Sequence, residues 1–231
     1  MTDRQRLCPL LQTTAGPRSA NHPNPNEDVV RRCLRQQVQY AVEAQVDVVQ
    51  IRERDRDAGE LAALVREAVA IARGTRSRVI VNDRLDIALA CGAGGVHLRG
   101  DSVPPAAVRG SVPAGFLVGR SVRNVEEALA AAPYVDYLVA GTVWPSESKS
   151  QNHAVLGTIG LTAIVRSVNV PVLAIGGVEV SRVAAVAASG AAGAAAIGLF
   201  LAPDARPTAA CRATPLTHIV EVVRARFDTS R

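Results

Sequence analysis

The chain has 231 residues, 48% apolar, 20% charged and only 3% aromatic, with a net charge of +5. That composition excludes a disordered chain, and it requires a core built mainly from Ala, Val, Leu and Ile. No apolar run approaches the roughly 20 residues of a membrane span, and the basic residues are spread along the chain without runs or interleaved aromatics, which argues against nucleic acid.

Taken in order, short apolar runs alternate with helix-like segments. CPLLQTT (8–14) reads as a strand, followed by a Pro- and Asn-rich loop (15–26) and a helix over 27–44 with Val29, Val30, Cys33, Leu34 and Val38 at helical spacing. VDVVQIR (46–52) is a second strand and 58–73 a helix. RVIVND (78–83) and the helix 84–92, closing on a glycine, repeat the unit. GGVHL (94–98) precedes a short helix opened by Pro104 and Pro105. GFLVGRSV (115–122) leads into a helix over 124–132 with Asn124 as its N-cap. VDYLVAGT (135–142) is followed by a polar loop and a helix over 157–168. VPVLAIGG (170–177) precedes 180–190, and AGAAAIGLF (192–200) precedes a last helix near 207–226.

Eight strands in strict alternation with helices predict an α/β fold, a (β/α)₈ TIM barrel forming one domain over 1–231. The strands are apolar throughout, as expected of a parallel sheet buried on both faces. An open doubly wound sheet is the alternative, but no glycine fingerprint follows the first strand. The N-terminus does not read as a secretory signal, and Cys8, Cys33, Cys91 and Cys211 are scattered as in a chain from a reducing compartment. The cytoplasm is the expected location.

A barrel works at the C-terminal ends of its strands, so polar residues there are the candidates. Strand two ends in Gln50, Arg52 and Arg54. The two arginines either aim together at one spot or simply mark a strand emerging into solvent. Asn82–Asp83 end strand three, and His97 lies in strand four with Asp101 and Ser102 beyond it. Strand five carries Gly119, Ser121 and Arg123, and the loop 141–153 carries Ser146, Ser148 and Lys149. Of 26 lysines and arginines only Lys149 is a lysine. Gly176–Gly177 and Gly198 end the last two strands and can bring backbone N–H groups close to a phosphate, or merely relieve crowding. Asp83 with Asp101 can hold Mg²⁺, or Asp83 can pair with Arg84 or Arg52. His97 reads as a hydrogen-bonded core histidine.

VVQIRERD, VIVNDRLDIALACGAGGVHL, VGRSVRNVEEA, VDYLVAGTVWPSESK and VPVLAIGGV, in this order, resemble the thiamine phosphate synthase and TenI superfamily. The resemblance implies a transferase that joins an aminopyrimidine methyl diphosphate to a thiazole phosphate, with Mg²⁺ as cofactor and pyrophosphate released. Carried over by motif, Arg52, Arg54 and Lys149 serve catalysis. By the same matches Gln50, Asn82, Ser146, Ser148, Gly176 and Gly177 bind substrate and Asp83 binds metal. Ser121 and Gly198, at neighbouring strand ends, join the substrate set, and Asp101, one residue before the motif's second ligand position, joins Asp83 as a metal candidate. The partners implied are small phosphorylated pyrimidines and thiazoles, with neither nucleic acid nor membrane; a homodimer is compatible.

Departures stand beside the matches. The segment after VHL is Arg99–Gly100–Asp101–Ser102 where the family has Gly-Gln-x-Asp, so a serine occupies the second metal-ligand position. A TenI-like thiazole tautomerase is the rival within the superfamily, but the histidine that branch uses after GRSV is Arg123 here, a poor proton shuttle. A Schiff-base aldolase using Lys149 and a non-catalytic phosphometabolite binder are the remaining alternatives.

Overall fold

The computed structural model describes residues 25–53, 56–145, 155–200 and 214–228. Helix α1 (Pro25–Glu43) leads into β1 (Val48–Ile51), and the units α2 (Ala58–Ala72), β2 (Arg78–Asn82), α3 (Leu85–Ala90), β3 (Gly95–Leu98), α4 (Pro105–Arg109) and β4 (Leu117–Val122) follow. Then come α5 (Val125–Ala131), β5 (Tyr137–Gly141), α6 (Gly157–Ser167), β6 (Val172–Ile175), α7 (Val183–Ala188), β7 (Gly193–Ala195) and α8 (Thr214–Asp228).

The described strands form one seven-stranded sheet in the order β1-β2-β3-β4-β5-β6-β7, every pairing parallel. Seven of the eight predicted strands are therefore in place. The eighth, predicted at 8–14, lies outside the described residues, so the architecture is a curled parallel α/β sheet of barrel type. Strands also run shorter than predicted. β1 stops at Ile51, which puts Arg52 beyond the ladder, so the strand alternation invoked for it does not reach Arg52, and Arg54 lies outside the described residues.

Side-chain alternation divides the core in two. Val79, Val81, Val96, Leu98, Val118, Leu138, Ala140, Val172 and Ala174 point outward and are buried together with the apolar sides of the helices. The residues between them point inward: Ile80, Tyr137 and Val139 form a second cluster with Val48, Leu117, Leu173 and Ile175. Both faces of the sheet are thus dry, which is why the strands read as unbroken apolar runs. The inward set also contains Gln50, His97 and Ser121, polar residues carried into the interior by the same parity.

Caps fix where the helices begin. Asp57 and Asn124 each accept a backbone N–H three residues on, at 2.8 Å, so α2 and α5 start where their side chains satisfy an otherwise orphaned donor. At the other end of a helical unit, Gly92 has φ +66°, a left-handed position that ends α3 without strain.

Candidate active site

In a parallel sheet ordered as the chain runs, every strand delivers its C-terminal end to the same edge. Gln50 and Asn82 meet there on neighbouring strands. Gln50, 8% exposed, donates from Nε2 to Asn82 Oδ1 at 3.0 Å. With its carbonyl taken, Asn82 has its amide N–H₂ to offer a ligand.

Asp83 follows at once with φ +65°, a left-handed conformation that aspartate tolerates better than most residues. Its N–H bonds His97 O at 2.9 Å, tying the turn to β3. The Asp83 carboxylate accepts the Ser102 hydroxyl on Oδ1, and Oδ2 lies 3.5 Å from Arg99 Nε. Arg99 in turn forks onto Asp101 through Nε and Nη2, at 2.9 and 2.7 Å, and its backbone N–H reaches Ser102 Oγ at 2.8 Å. The segment 99–102 is thereby folded over Asp83. Of the alternative ion pairs for Asp83, Arg84 is engaged elsewhere: standing just before α3, it forks onto Asp86 in the first turn at 2.8 and 2.6 Å, and this bond holds the Asp86 carboxyl below the usual range.

These donors fit magnesium. The Asp83 side chain is 29% exposed, touches a hydroxyl, and stands on an open edge, whereas Asp101 is 73% exposed and engaged by Arg99. Magnesium keeps several waters and is usually bound by one or two carboxylates together with substrate phosphates, so one carboxylate with a hydroxyl is an adequate protein share. Among the described residues no group of three or more His, Cys, Asp or Glu forms a closed cage.

Behind this rim runs a buried polar chain. Ser121 Oγ lies 2.8 Å from His97 Nε2, and His97 Nδ1 lies 3.1 Å from the Tyr137 hydroxyl, whose ring stacks on the imidazole at 5.7 Å. His97 is the core histidine expected from its place in VHL. Burial first, and the Arg120 charge second, lower its pKa to about 4, so the ring is neutral near pH 7. A neutral imidazole donates at one nitrogen and accepts at the other, which gives the chain Tyr137–His97–Ser121 a single direction. Burial likewise pushes the Tyr137 phenol well above its ordinary value. Gly119 makes room for this arrangement: a Cβ there would come within 2.1 Å of the Tyr137 ring.

Across the sheet, Gly176 and Gly177 have φ +96° and +61° and make the tight turn expected after β6. A Cβ on Gly177 would lie 2.6 Å from Pro145 O. Arg182 braces the turn, donating to Gly177 O at 2.7 Å while its guanidinium lies 5.4 Å over the Trp144 ring. Gly198 opens a short 3₁₀ turn after β7. Arg123 is tied to Glu127 at the start of α5 by its backbone N–H at 2.8 Å and by Nη2 at 3.2 Å.

The edge thus brings together Gln50, Asn82, Asp83 and, through Arg99, Asp101, and it carries Ser121, Gly176, Gly177 and Gly198. Arg52 directly follows β1 and is half-buried. Arg54, Ser146, Ser148 and Lys149 lie outside the described residues. Sequence reasoning passed over Arg99, Tyr137 and the Arg182–Trp144 pair. Only Tyr137 left a trace in the sequence, a polar-tipped aromatic inside the apolar run 135–142; its facing Gly119 follows from the sheet register alone.

Fold and edge define a class, a parallel α/β protein of barrel type with amides, a carboxylate and glycine turns on its C-terminal rim. The family model described as thiamine monophosphate synthase matches residues 24–200, and the chain belongs to that family. The thiamine-phosphate synthase of Archaeoglobus fulgidus is 35% identical over 191 residues, covering 83% of this chain and 87% of that one. The thiamine-phosphate synthase of Methanospirillum hungatei is 40% identical over 136 residues, 58% of this chain and 66% of that one. Among solved structures, a thiamine phosphate pyrophosphorylase from Pyrococcus furiosus superposes with a TM-score of 0.71 at 29% identity, covering 85% of this chain and 90% of its own.

Proposed function

We propose that this chain joins hydroxymethylpyrimidine diphosphate to thiazole phosphate, releasing pyrophosphate and forming thiamine phosphate. The observation that carries the reading is the Gln50–Asn82 amide pair directly beside the Asp83 carboxylate at the strand ends. An amide pair suits the in-plane donors and acceptors of an aminopyrimidine, and the carboxylate beside it suits the diphosphate end of the same substrate.

The bond that breaks joins the pyrimidine methylene carbon to the diphosphate oxygen, and the electron pair leaves with the diphosphate. The bond that forms joins that carbon to the thiazole nitrogen. No proton has to move in the bond exchange, so the chain's task is to place the reactants and to stabilise charge on the leaving group. Gln50 and Asn82 orient the pyrimidine, and Ser121 is held in place beside them by its hydrogen bond to the neutral His97. Arg52, Arg54 and Lys149 take up the charge of the departing diphosphate. The Gly176–Gly177 turn holds the thiazole phosphate, with Ser146, Ser148 and Gly198 as further contacts. Asp83, with Ser102 and Asp101 on the loop beside it, would hold magnesium, which would supply further charge neutralisation on the diphosphate. The same reading takes the chain as one barrel domain acting in the cytoplasm on these small phosphorylated substrates, with no nucleic-acid or membrane partner.

The purified protein, incubated with Mg²⁺ and both substrates, is expected to form thiamine phosphate and pyrophosphate in equal amounts. Absence of both products, with turnover of a thiazole carboxylate phosphate tautomer instead, would replace this reading by the tautomerase. Against that alternative, Arg123 stands at the shuttle position and is bound to Glu127.

A further inference from the structure

We propose that Arg99 is a resident counter-cation of Asp83, competing with a free divalent ion for that carboxylate, so that metal is taken up chiefly together with a polyphosphate. This rests on the assignment of Asp83 to the metal made above. Three contacts point to it. Arg99 Nε lies 3.5 Å from Asp83 Oδ2. The forked pair with Asp101, at 2.9 and 2.7 Å, fixes the guanidinium there. The Arg99 N–H holds Ser102 Oγ at 2.8 Å, and Ser102 in turn occupies the other Asp83 oxygen. Both Asp83 oxygens therefore have protein partners before any ligand arrives.

A dication entering beside Asp83 meets the guanidinium's charge at short range, and like charges at a few ångströms repel. A polyphosphate reverses the balance. Its oxygens bind metal and guanidinium alike, and arginine is well suited to phosphate because its planar fork matches two oxygens. The Asp101 fork uses Nε and Nη2, and Nη1 stands outside it. The arginine thus turns from carboxylate partner to phosphate partner without being desolvated alone.

The test is Mn²⁺ binding to the full chain, followed by electron paramagnetic resonance without substrates. Arg99→Gln is expected to tighten Mn²⁺ roughly five- to tenfold, the effect of removing one positive charge close to a dication at a partly screened site. In an Asp83→Asn background the same replacement is expected to leave Mn²⁺ affinity unchanged, because the shared carboxylate is gone. Pyrophosphate is expected to narrow the gap between native protein and Arg99→Gln. Arg99→Ala, with circular dichroism to establish folding, gives the same reading where the glutamine variant does not fold. An unmoved Mn²⁺ affinity in a folded Arg99 variant overturns the proposal, and so does a gain that persists in the Asp83→Asn background. A native protein that makes no thiamine phosphate yet shows this Mn²⁺ response sinks the proposed reaction and leaves the Arg99 role standing. Normal product formation with an unmoved Mn²⁺ response does the reverse.

Discussion

A buried imidazole that stays neutral makes the fold sensitive to acid. The ordinary histidine pKa is about 6.5, and His97 in the folded chain titrates at about 4. Below pH 6.5 the unfolded chain therefore binds a proton that the folded chain refuses. The stability is intact above 6.5 and falls as pH drops toward 4, by up to about 1.4 kcal/mol per pH unit. Urea unfolding at pH 7.5 and 5.0 should show the native protein losing about 2 kcal/mol that His97→Gln does not lose; equal losses would mean that His97 is not the group responsible. The variant starts lower at neutral pH, since Tyr137 and Ser121 each lose a buried partner. Arg52 makes the opposite prediction. It stands past the end of β1 and is half-buried, so Arg52→Ala should lower kcat by two orders of magnitude or more while shifting the urea midpoint little. Asn82, Asp83 and Gln50 were legible as rim residues because each ends an apolar run. The Arg99–Asp101 fork and the Ser102–Asp83 contact were not, since they depend on how one short loop folds back over a neighbouring strand, and no periodicity records that.

Within the elements, the informative residues are those that set where a strand or helix can go. Gly119 lies in β4 directly opposite Tyr137 in β5. The sequence placed Gly119 only among the residues ending that strand; its role is to leave space for the Tyr137 ring, and a Cβ would fall 2.1 Å from that ring. Tyr137 cannot swing aside without giving up His97, so Gly119→Ala should cost about 3 kcal/mol, near the upper end for an overpacked core. Combining it with Tyr137→Ala should return part of that loss, a coupling read from urea midpoints of the two singles and the double. A purely additive pair would show that the ring is not the obstacle. By contrast, the Asn124 cap was legible in advance, because Asn three residues before a glutamate at the start of an apolar helix is local chemistry. Asn124→Ala should cost about 1 kcal/mol in the same assay. Local signals of this kind carried over from sequence to structure. The pairing of Tyr137 with His97, forty residues apart, could not, because only the sheet register brings them together.

At the scale of the whole molecule, consecutive strand order accounts for why so much of the fold was readable: each β-strand pairs with the next one along the chain, so alternation alone gave the topology. It also distributes stability unevenly. The central strands β2 to β5 are buried on both faces, by the helices outside and by Ile80, Tyr137 and Val139 within. Helix α8 is attached differently. Leu216 and Val220 pack with Ala44 in a small separate cluster, while Val223, with the partly buried Ile219 and Phe227 beside it, joins the rim of the main core. One polar attachment is Arg224, which bonds Gln45 O and reaches Asp47 at 3.1 Å on the surface. An exposed pair of this sort contributes only about 0–1 kcal/mol, so Arg224→Ala should move the global midpoint little, whereas Leu216→Ala should cost about 2 kcal/mol locally. Local opening follows where few apolar contacts hold an element. Native-state hydrogen exchange should therefore find the amides of α8 opening at a lower free energy than those of β3 and β4, and Leu216→Ala should lower the α8 values without moving the strands. If α8 and the central strands exchange at one common free energy, and Leu216→Ala lowers both together, then the helix belongs to the same cooperative unit as the sheet and the division drawn from its packing is wrong.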